Sequence, residues 1–184
     1  MNGCDAKERV LVLTFDPHNP QVYAYIDASF APHAHAKSQT GGVIFLACEG
    51  GGVYSTSEKQ NIVTKSSTEA ELVGLSNVAT QVVYIMNLLK AQGYTMPPAI
   101  IYQDNMSTMA MIANGSATAK LTRHINIRYF WVKDNVERGE VCIQYMPTED
   151  MVADVLTKPL QGHLFRRLAQ RLRTSEEVSS PEEA

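Results

Sequence analysis

Residues 66–93 read SSTEAELVGLSNVATQVVYIMNLLKAQG, and the rest of the chain can be placed around this segment. Ser66-Ser67-Thr68-Glu69 has the Ser/Thr-x-x-Glu form of a helix capping box, and Thr68-Glu69-Ala70-Glu71 offers a second register. Apolar residues then recur at steps of three and four: Leu72, Leu75, Ala79, Val82, Met86 and Leu89. Gly93 can end the helix in the left-handed conformation. The segment therefore predicts a long amphipathic helix whose apolar face packs on another layer.

Three strand-like segments precede this helix. Gln21 to Asp27 (QVYAYID) alternates aromatic and β-branched residues, which is typical of a strand. Gly41 to Cys48 and Val53 to Thr56 are apolar runs separated by Gly50-Gly51-Gly52, a pattern that favours a hairpin. The segment Gln60 to Thr64 extends or follows the third strand. Consecutive strands with short links predict an antiparallel meander.

Strands and helices alternate after the long helix. Ala99 to Asp104 and Val141 to Met146 are predicted strands. Helical patterns occur at 105–114, at 125–136, around Asp154 and at 164–168. Strand–helix–strand connections are right-handed parallel crossovers. The order predicts an α/β fold with a mixed five-stranded sheet, in which three antiparallel strands are followed by parallel additions and helices pack on the sheet.

Composition indicates one globular domain. Of 184 residues, 45% are hydrophobic and 19% are charged, and no run of eighteen apolar residues or signal peptide is found, so membrane insertion and secretion are not expected. We predict a connector over 1–20, the domain over 21–173 and an acidic disordered tail over 174–184. The tail contains four glutamates and no Lys or Arg, so the net charge of −3 becomes +1 without it. A nucleic-acid partner is therefore compatible with the charge.

Four acidic residues are placed where such a sheet would gather them. Asp27 and Asp104 end predicted strands, Glu71 lies in the first turn of the long helix, and Asp154 begins the last helical block. A carboxylate cluster repels itself at neutral pH unless protons or cations compensate it, and hard oxygen ligands suit Mg²⁺ or Mn²⁺. Two such ions about 3.5–4 Å apart promote in-line displacement at a phosphodiester. The residues therefore predict a metal-dependent nuclease site, with surface acids and helix caps as the alternative.

Six segments of the chain, in order, resemble the ribonuclease H domain of copia-type retrotransposon polyproteins. They are YIDASFA, KSQTGGVIFL, KSSTEAELVGLSNVATQVVYIMNLL, IYQDNMSTMAMIANG, RHINIRYFWVKDNVERGEV and ADVLTKPL, within about residues 9–172. The resemblance implies a ribonuclease H-like fold. It also implies an endonuclease that uses two Mg²⁺ ions, or Mn²⁺ in their place, to hydrolyse the RNA strand of RNA–DNA hybrids during reverse transcription.

The resemblance places the catalytic, metal-binding carboxylates of the family at Asp27, Glu71, Asp104 and Asp154. Glu71 is preferred to Glu69 because the family has its catalytic glutamate directly before a Leu or Tyr at this helix start, whereas Glu69 suits the capping box. The family mechanism implies that Asp27 bridges both ions. It further implies that Asp154 helps to hold the ion that activates water, while Glu71 and Asp104 hold the other.

Further residues are candidates for nucleic-acid contacts. Ser67, Thr68 and Asn105 can donate to phosphates or 2′-hydroxyls, and Arg123 and His124 can contact the backbone, although capping and structural hydrogen bonds are alternative roles. The arginines of the last helix form either a solvated face or a phosphate contact: Arg166, Arg167, Arg171 and Arg173. The implied partners are an RNA–DNA hybrid and the reverse transcriptase domain of the same polyprotein, with no membrane. The implied location is the cytoplasm, inside retrotransposon particles, or the nucleus.

The chain also departs from the family pattern. Residues 54–60 keep only part of a Trp-Ser-x-Lys-Lys-Gln motif, Phe130 replaces a common His, and Met151-Val152 stands where a Gln is frequent. These changes concern substrate contacts and rate, since all four acids are present. A catalytically decayed or domesticated binding module is the alternative function, and a transposase or integrase of the same superfold is a third that SSTEAE and LTKPL do not support.

Overall fold

The structure, a computed structural model, describes residues 13–48, 50–114 and 122–173. A five-stranded mixed sheet carries helices on both faces, which confirms the predicted fold class. The strands are β1 Tyr23–Ser29, β2 Lys37–Phe45, β3 Tyr54–Val63, β4 Ala99–Gln103 and β5 Val141–Tyr145. The α-helices are α1 Ser67–Ala91, α2 Met106–Asn114, α3 Arg123–Glu137 and α4 Gly162–Arg173. Short 3₁₀ helices cover Ala34–Ala36, Thr148–Asp150 and Val152–Leu156.

The strand order is β3-β2-β1-β4-β5, so β1 lies at the centre. β1 and β2, and β2 and β3, pair antiparallel, whereas β1 and β4, and β4 and β5, pair parallel. Parallel pairing brings the carboxyl ends of β1 and β4 to the same edge of the sheet. This edge is therefore where the residues that end both strands meet.

The second strand begins four residues earlier than the predicted apolar run, at Lys37. The added part is polar, and Ser38 and Thr40 within it are buried because their side chains find partners on neighbouring segments. The Ser38 and Thr64 hydroxyls lie 3.1 Å apart, and the Gln60 amide donates to Thr40 Oγ1 at 3.0 Å. Paired in this way, hydroxyl groups can be buried in a strand without the cost of a lost hydrogen bond.

Helix α1 begins with the first of the two predicted capping registers. The backbone N–H of Glu69 donates to Ser66 Oγ at 3.2 Å, and Glu69 Oε2 accepts from the Lys65 N–H at 2.8 Å. Gly93 follows the helix with φ of +94°, as predicted for its end. By length and composition α1 would also pass as a membrane-crossing helix, but 56% of its apolar window is buried. Its position in the core accounts for this hydropathy.

Side chains of β1 alternate between two apolar layers. Ala24 and Ile26 belong to the larger core under α1, α2 and α3, while Tyr25 belongs to a smaller core with Val152 and Ala153. Asp27 shares the face of Tyr25. On that face Arg171 of α4 donates to the Tyr25 hydroxyl at 2.9 Å and lies over its ring, so this arginine has a packing role beyond a purely solvated face.

Two adjacent glycines in β2 allow close approach on opposite faces of the sheet. A Cβ on Gly42 would come within 2.4 Å of Val78 Cγ2 in α1, and one on Gly41 within 2.6 Å of Thr157 Cγ2. Both distances are shorter than any normal carbon contact. The glycine pair therefore seats α1 on one face and the segment that follows Val152–Leu156 on the other.

The predicted domain limits fall largely on undescribed parts of the chain. Of the connector predicted over 1–20, residues 1–12 lie outside the described residues, and 13–20 contain no helix or strand. The acidic tail predicted over 174–184 lies wholly outside them. Both boundaries stay predictions.

Candidate metal centre

Three acidic side chains meet at the carboxyl-terminal edge of β1 and β4, and a fourth, Glu71, lies close enough to be affected by the charges of two of them. Asp27 lies near the end of β1 and Asp104 directly follows β4, and the two strands are parallel neighbours. Asp154 comes from the 3₁₀ helix Val152–Leu156 on one face of the sheet. Glu71 comes from the first turns of α1 on the other face, where the charges of Asp27 and Asp104 act on it.

Three of these carboxylates are close enough to share one cation. Asp27, Asp104 and Asp154 each offer an oxygen, and these oxygens lie within 4.8 Å of one another. Oxygens bound to one Mg²⁺ at about 2.0–2.1 Å are separated by at most about 4.2 Å, so a small side-chain adjustment would suffice. Asp27 and Asp154 are each 2% exposed, while Asp104 is partly exposed and marks the open side of the cluster.

Glu71 does not belong to this set of three, but it is buried, feels the charges of Asp27 and Asp104, and is held by hydrogen bonds. Burial raises its pKa to about 8, and the charges of Asp27 and Asp104 add to that effect. Hydrogen bonds from the Gln103 amide, at 2.9 Å, and from the Ala28 backbone oppose it. Without a cation, burial therefore favours the protonated form of Glu71.

The pKa of Asp154 is also set by opposing effects of burial and of neighbouring groups. Burial raises its pKa to about 6, the Asp27 charge adds to this, and a hydrogen bond from Lys158 opposes it. The Lys158 Nζ lies 2.8 Å from Asp154 Oδ1 and 3.3 Å from Asp27 Oδ1. Burial alone would lower the pKa of Lys158, but these two carboxylates outweigh it and raise the pKa.

Neutral donors fix two further carboxylate oxygens of the cluster. The Thr157 hydroxyl donates to Asp27 Oδ2, and the Thr148 hydroxyl donates to Asp104 Oδ2 at 2.9 Å. The sequence analysis assigned no role to Thr148, Thr157, Lys158 or Gln103. The contact of Lys158 with Asp154 could have been predicted from their spacing of four residues within ADVLTKPL. For Gln103 the signal was its place immediately before Asp104 at a strand end.

The predicted nucleic-acid contacts fall into two groups. Ser67 and Thr68 lie in the first turn of α1, and Thr68 O accepts from Thr108 Oγ1 of α2 at 3.4 Å. Asn105 precedes α2 and accepts from the Thr108 N–H at 3.0 Å, so it has the capping role considered as its alternative. Arg123 and His124 are exposed at the start of a different helix, α3. Ser67, Thr68 and Asn105 thus lie near Glu71 and Asp104, whereas Arg123 and His124 lie at the start of α3.

Comparison by sequence finds relatives among transposon polyproteins, whereas no family model matches the chain. The chain is 31% identical over 153 residues to the retrovirus-related Pol polyprotein from transposon RE1 of Arabidopsis thaliana, covering 82% of this chain and 10% of that protein. It is 27% identical over 158 residues to the Ty1-LR3 Gag-Pol polyprotein of Saccharomyces cerevisiae, covering 85% and 9%. The chain thus spans about a tenth of the length of these relatives.

Comparison by structure finds ribonuclease H folds. LC11-RNase H1, solved in complex with an RNA/DNA hybrid, has a TM-score of 0.54 at 12% identity, covering 74% of this chain and 93% of that one. The N-terminal ribonuclease H domain of a Mycobacterium tuberculosis protein has a TM-score of 0.53 at 13% identity, covering 83% and 98%. Together with the sequence relatives, these structures confirm the predicted resemblance. The chain is a ribonuclease H-fold domain homologous to a segment of the retrovirus-related Pol polyproteins of transposons.

Proposed function

We propose that the chain is a nuclease that hydrolyses the RNA strand of an RNA–DNA hybrid during reverse transcription of a retrotransposon. The observation that carries the proposal is the set of carboxylate oxygens of Asp27, Asp104 and Asp154 within 4.8 Å of one another. The homology to transposon Pol polyproteins and the ribonuclease H fold support a nuclease. The hybrid substrate is inferred from the resemblance and from LC11-RNase H1, which was solved with such a hybrid.

The donor set fits divalent metal ions such as Mg²⁺ or Mn²⁺. All donors are carboxylates, two of them are almost completely buried, and burial with the charges of Asp27 and Asp104 raises the pKa of Glu71, so a bound cation would relieve this repulsion. If two ions bind, the family resemblance implies that Asp27 would hold both, Asp154 would hold one, and Glu71 with Asp104 would hold the other. Bound there, the ions would activate water and stabilise the charge that develops on the scissile phosphate.

Three neighbouring side chains hold the carboxylates in position by donating hydrogen bonds to them. Gln103 is fully buried and donates to Glu71, Thr157 donates to Asp27, and Thr148 donates to Asp104. Each donor fixes one oxygen of its carboxylate, and the second oxygen of Asp27 faces the Lys158 ammonium. Such supporting hydrogen bonds set the orientation of metal ligands and cost affinity when they are removed.

The hybrid would be recognised by backbone shape and by 2′-hydroxyls, which distinguish RNA from DNA. Ser67, Thr68 and Asn105 are our candidates for contacts with the hybrid beside the carboxylates. Arg123 and His124 are our candidates for contacts with the hybrid's sugar–phosphate backbone at the start of α3. A reverse transcriptase domain of the same polyprotein is the proposed partner, since a prototype foamy virus protease–reverse transcriptase shares the fold over 91% of this chain with a TM-score of 0.51. A location in cytoplasmic retrotransposon particles, or in the nucleus, is inferred from the family resemblance alone.

Cleavage of a labelled hybrid tests the proposal. The purified chain is incubated with Mg²⁺ and an RNA–DNA hybrid, with the same RNA in an RNA duplex as substrate control. Asp27→Asn should abolish cleavage, and Glu58→Gln, which changes an exposed acid of β3, should leave it intact. No cleavage by the native chain, or equal cleavage by Asp27→Asn, would reject the proposal. Hybrid binding without cleavage would identify the alternative, a non-catalytic binding module.

A further inference from the structure

Lys158 places an ammonium group between two of the carboxylates assigned to the metal. Its Nζ lies 2.8 Å from Asp154 Oδ1 and 3.3 Å from Asp27 Oδ1, and its side chain is 34% exposed against 2–3% for the two acids. The Lys158 N–H donates to the Asp154 carbonyl oxygen at 2.9 Å, so the backbone of Lys158 is held one turn after Asp154. The pair differs from the ion pairs of an exposed surface because both of its carboxylates are buried.

Both oxygens of Asp27 are engaged in this arrangement. Oδ1 faces Lys158 and Oδ2 accepts from the Thr157 hydroxyl. A neutral hydroxyl can remain on a carboxylate that also binds a metal, because an ionised carboxylate has about four acceptor sites. An ammonium cannot remain so easily, since its positive charge and that of a divalent ion repel each other at a distance of a few ångströms.

We propose that Lys158 is the resident cation of the metal-free centre, and that a divalent ion binds by displacing its ammonium group from Asp27 and Asp154. This inference rests on the proposed function, because it takes these two acids as metal ligands. It makes Lys158 a determinant of metal affinity: the side chain stabilises the empty centre and weakens metal binding by competition.

The structure provides room for the displaced side chain. A cavity of about 260 Å³ adjoins the cluster and is lined by Pro32, His33, Gln39, Leu156, Thr157 and Lys158 itself. Its walls carry a hydrogen-bonded pair, His33 Nε2 with Gln39 Oε1 at 2.6 Å. The flexible four-carbon stem of a lysine allows its ammonium to leave the carboxylates for this cavity without a backbone change.

Metal binding by matched variants tests the inference without using cleavage. Lys158→Gln removes the charge, Lys158→Arg keeps it, and Lys133→Gln removes a lysine paired with Glu137 on α3 as a control. Binding of Mg²⁺ is measured by calorimetry, and binding of Mn²⁺ by loss of the free-ion electron paramagnetic resonance signal. We expect Lys158→Gln to bind both ions about tenfold more tightly than the native chain, with a lower melting temperature in the absence of metal. The other two variants should bind within about twofold of native.

A measurement on the native chain guards against misfolding of the variant. The ¹⁵N signal of the Lys158 ammonium, assigned with Lys158→Arg, should be visible in metal-free protein and should lose its hydrogen-bonded character as Mg²⁺ saturates the centre. An unchanged signal at saturation, or equal affinity of native and Lys158→Gln, would overturn the inference and leave the proposed metal site standing. If Mg²⁺ and Mn²⁺ bind neither protein, the inference and the proposed function both fail.

Discussion

Gly41 lies directly opposite Asp27 in the antiparallel pair of β1 and β2, so both residues face the same side of the sheet. A Cβ at position 41 would come within 2.6 Å of Thr157 Cγ2 and 2.9 Å of the Ala153 carbonyl oxygen. These two residues flank the segment that carries Asp154. The missing side chain of Gly41 therefore lets that segment lie against β2 and brings Asp154 to Asp27.

Gly41→Ala should disable the centre more than it unfolds the chain. The added methyl group must push the Ala153–Thr157 segment away from the sheet, and displacement of a catalytic group by about 1 Å can cost about 10²-fold in rate. We expect cleavage to fall by about that factor, with a destabilisation of about 1–3 kcal/mol typical of overpacking, measured by urea unfolding.

Gly74→Ala is the matched control for this substitution. Gly74 is also buried, in α1, but a Cβ there would meet Thr40 at 3.4 Å and Ala28 at 3.5 Å, which are ordinary contacts. This variant should keep its activity and gain up to about 1 kcal/mol from helix propensity. If Gly74→Ala lost as much activity as Gly41→Ala, the close approach at Gly41 would not be the cause.

Gln103→Met should weaken the metal site while the fold persists. The amide of Gln103 is fully buried and donates to Glu71 Oε2 at 2.9 Å, and methionine has similar size without a donor. Loss of such a supporting hydrogen bond typically costs about 10- to 100-fold in metal affinity or activity. Calorimetric titration with Mg²⁺ measures the effect, and circular dichroism checks the fold. Unchanged affinity would show that Gln103 does not position Glu71.

Stability of the metal-free chain should fall as pH rises from about 4.5 to about 8. Burial raises the pKa of Glu71 to about 8 and that of Asp154 to about 6. In this range the folded state binds more protons than the unfolded state, so the free energy of unfolding decreases with pH. Above pH 6 the slope belongs mainly to Glu71, since the Asp154 transition lies lower.

Thermal unfolding of the native chain and of Glu71→Gln between pH 6 and 8, in the presence of a chelator, measures this effect. The variant carries no titrating group at position 71, so its melting temperature should change less over that interval. Saturating Mg²⁺ should also flatten the native curve, because a bound cation favours the ionised carboxylates. Parallel curves for the native chain and Glu71→Gln would contradict the assignment of the slope to Glu71.

Local patterns predicted α1 because its signals lie within the helix itself. Its start is a Ser66–Glu69 capping box and its end is Gly93, and both appear in the structure as predicted. The polar start of β2 could not be predicted in this way. Ser38 and Thr40 are buried only because Thr64 and Gln60, more than 15 residues away, satisfy their hydroxyl groups.

The same distinction applies to the candidate site, where some contacts follow from the order of the elements and others depend on tertiary packing. The approach of Asp27 and Asp104 follows from two strands that carry acids at or near their carboxyl ends and lie side by side in parallel, which the element order implies. The contact of Lys158 with Asp27 spans 131 residues, and it depends on how the segment around Asp154 lies on the sheet. That arrangement in turn depends on space left by Gly41, and no local pattern in the sequence indicates it.

Glu69 and Glu71, two residues apart, should separate stability from activity. Glu69 accepts from the Lys65 N–H and its own N–H donates to Ser66, so Glu69→Ala should lose about 1 kcal/mol of stability, as expected for a helix cap, and keep its cleavage rate. Glu71 faces Asp27 and Asp104, so Glu71→Gln should abolish Mg²⁺-dependent cleavage while the metal-free fold stays as stable as the native one at pH 8 or becomes more stable, because a buried charge is removed. Urea unfolding and hybrid cleavage on the same preparations measure both effects. If Glu69→Ala abolished cleavage and Glu71→Gln did not, the assignment of these two glutamates would have to be exchanged.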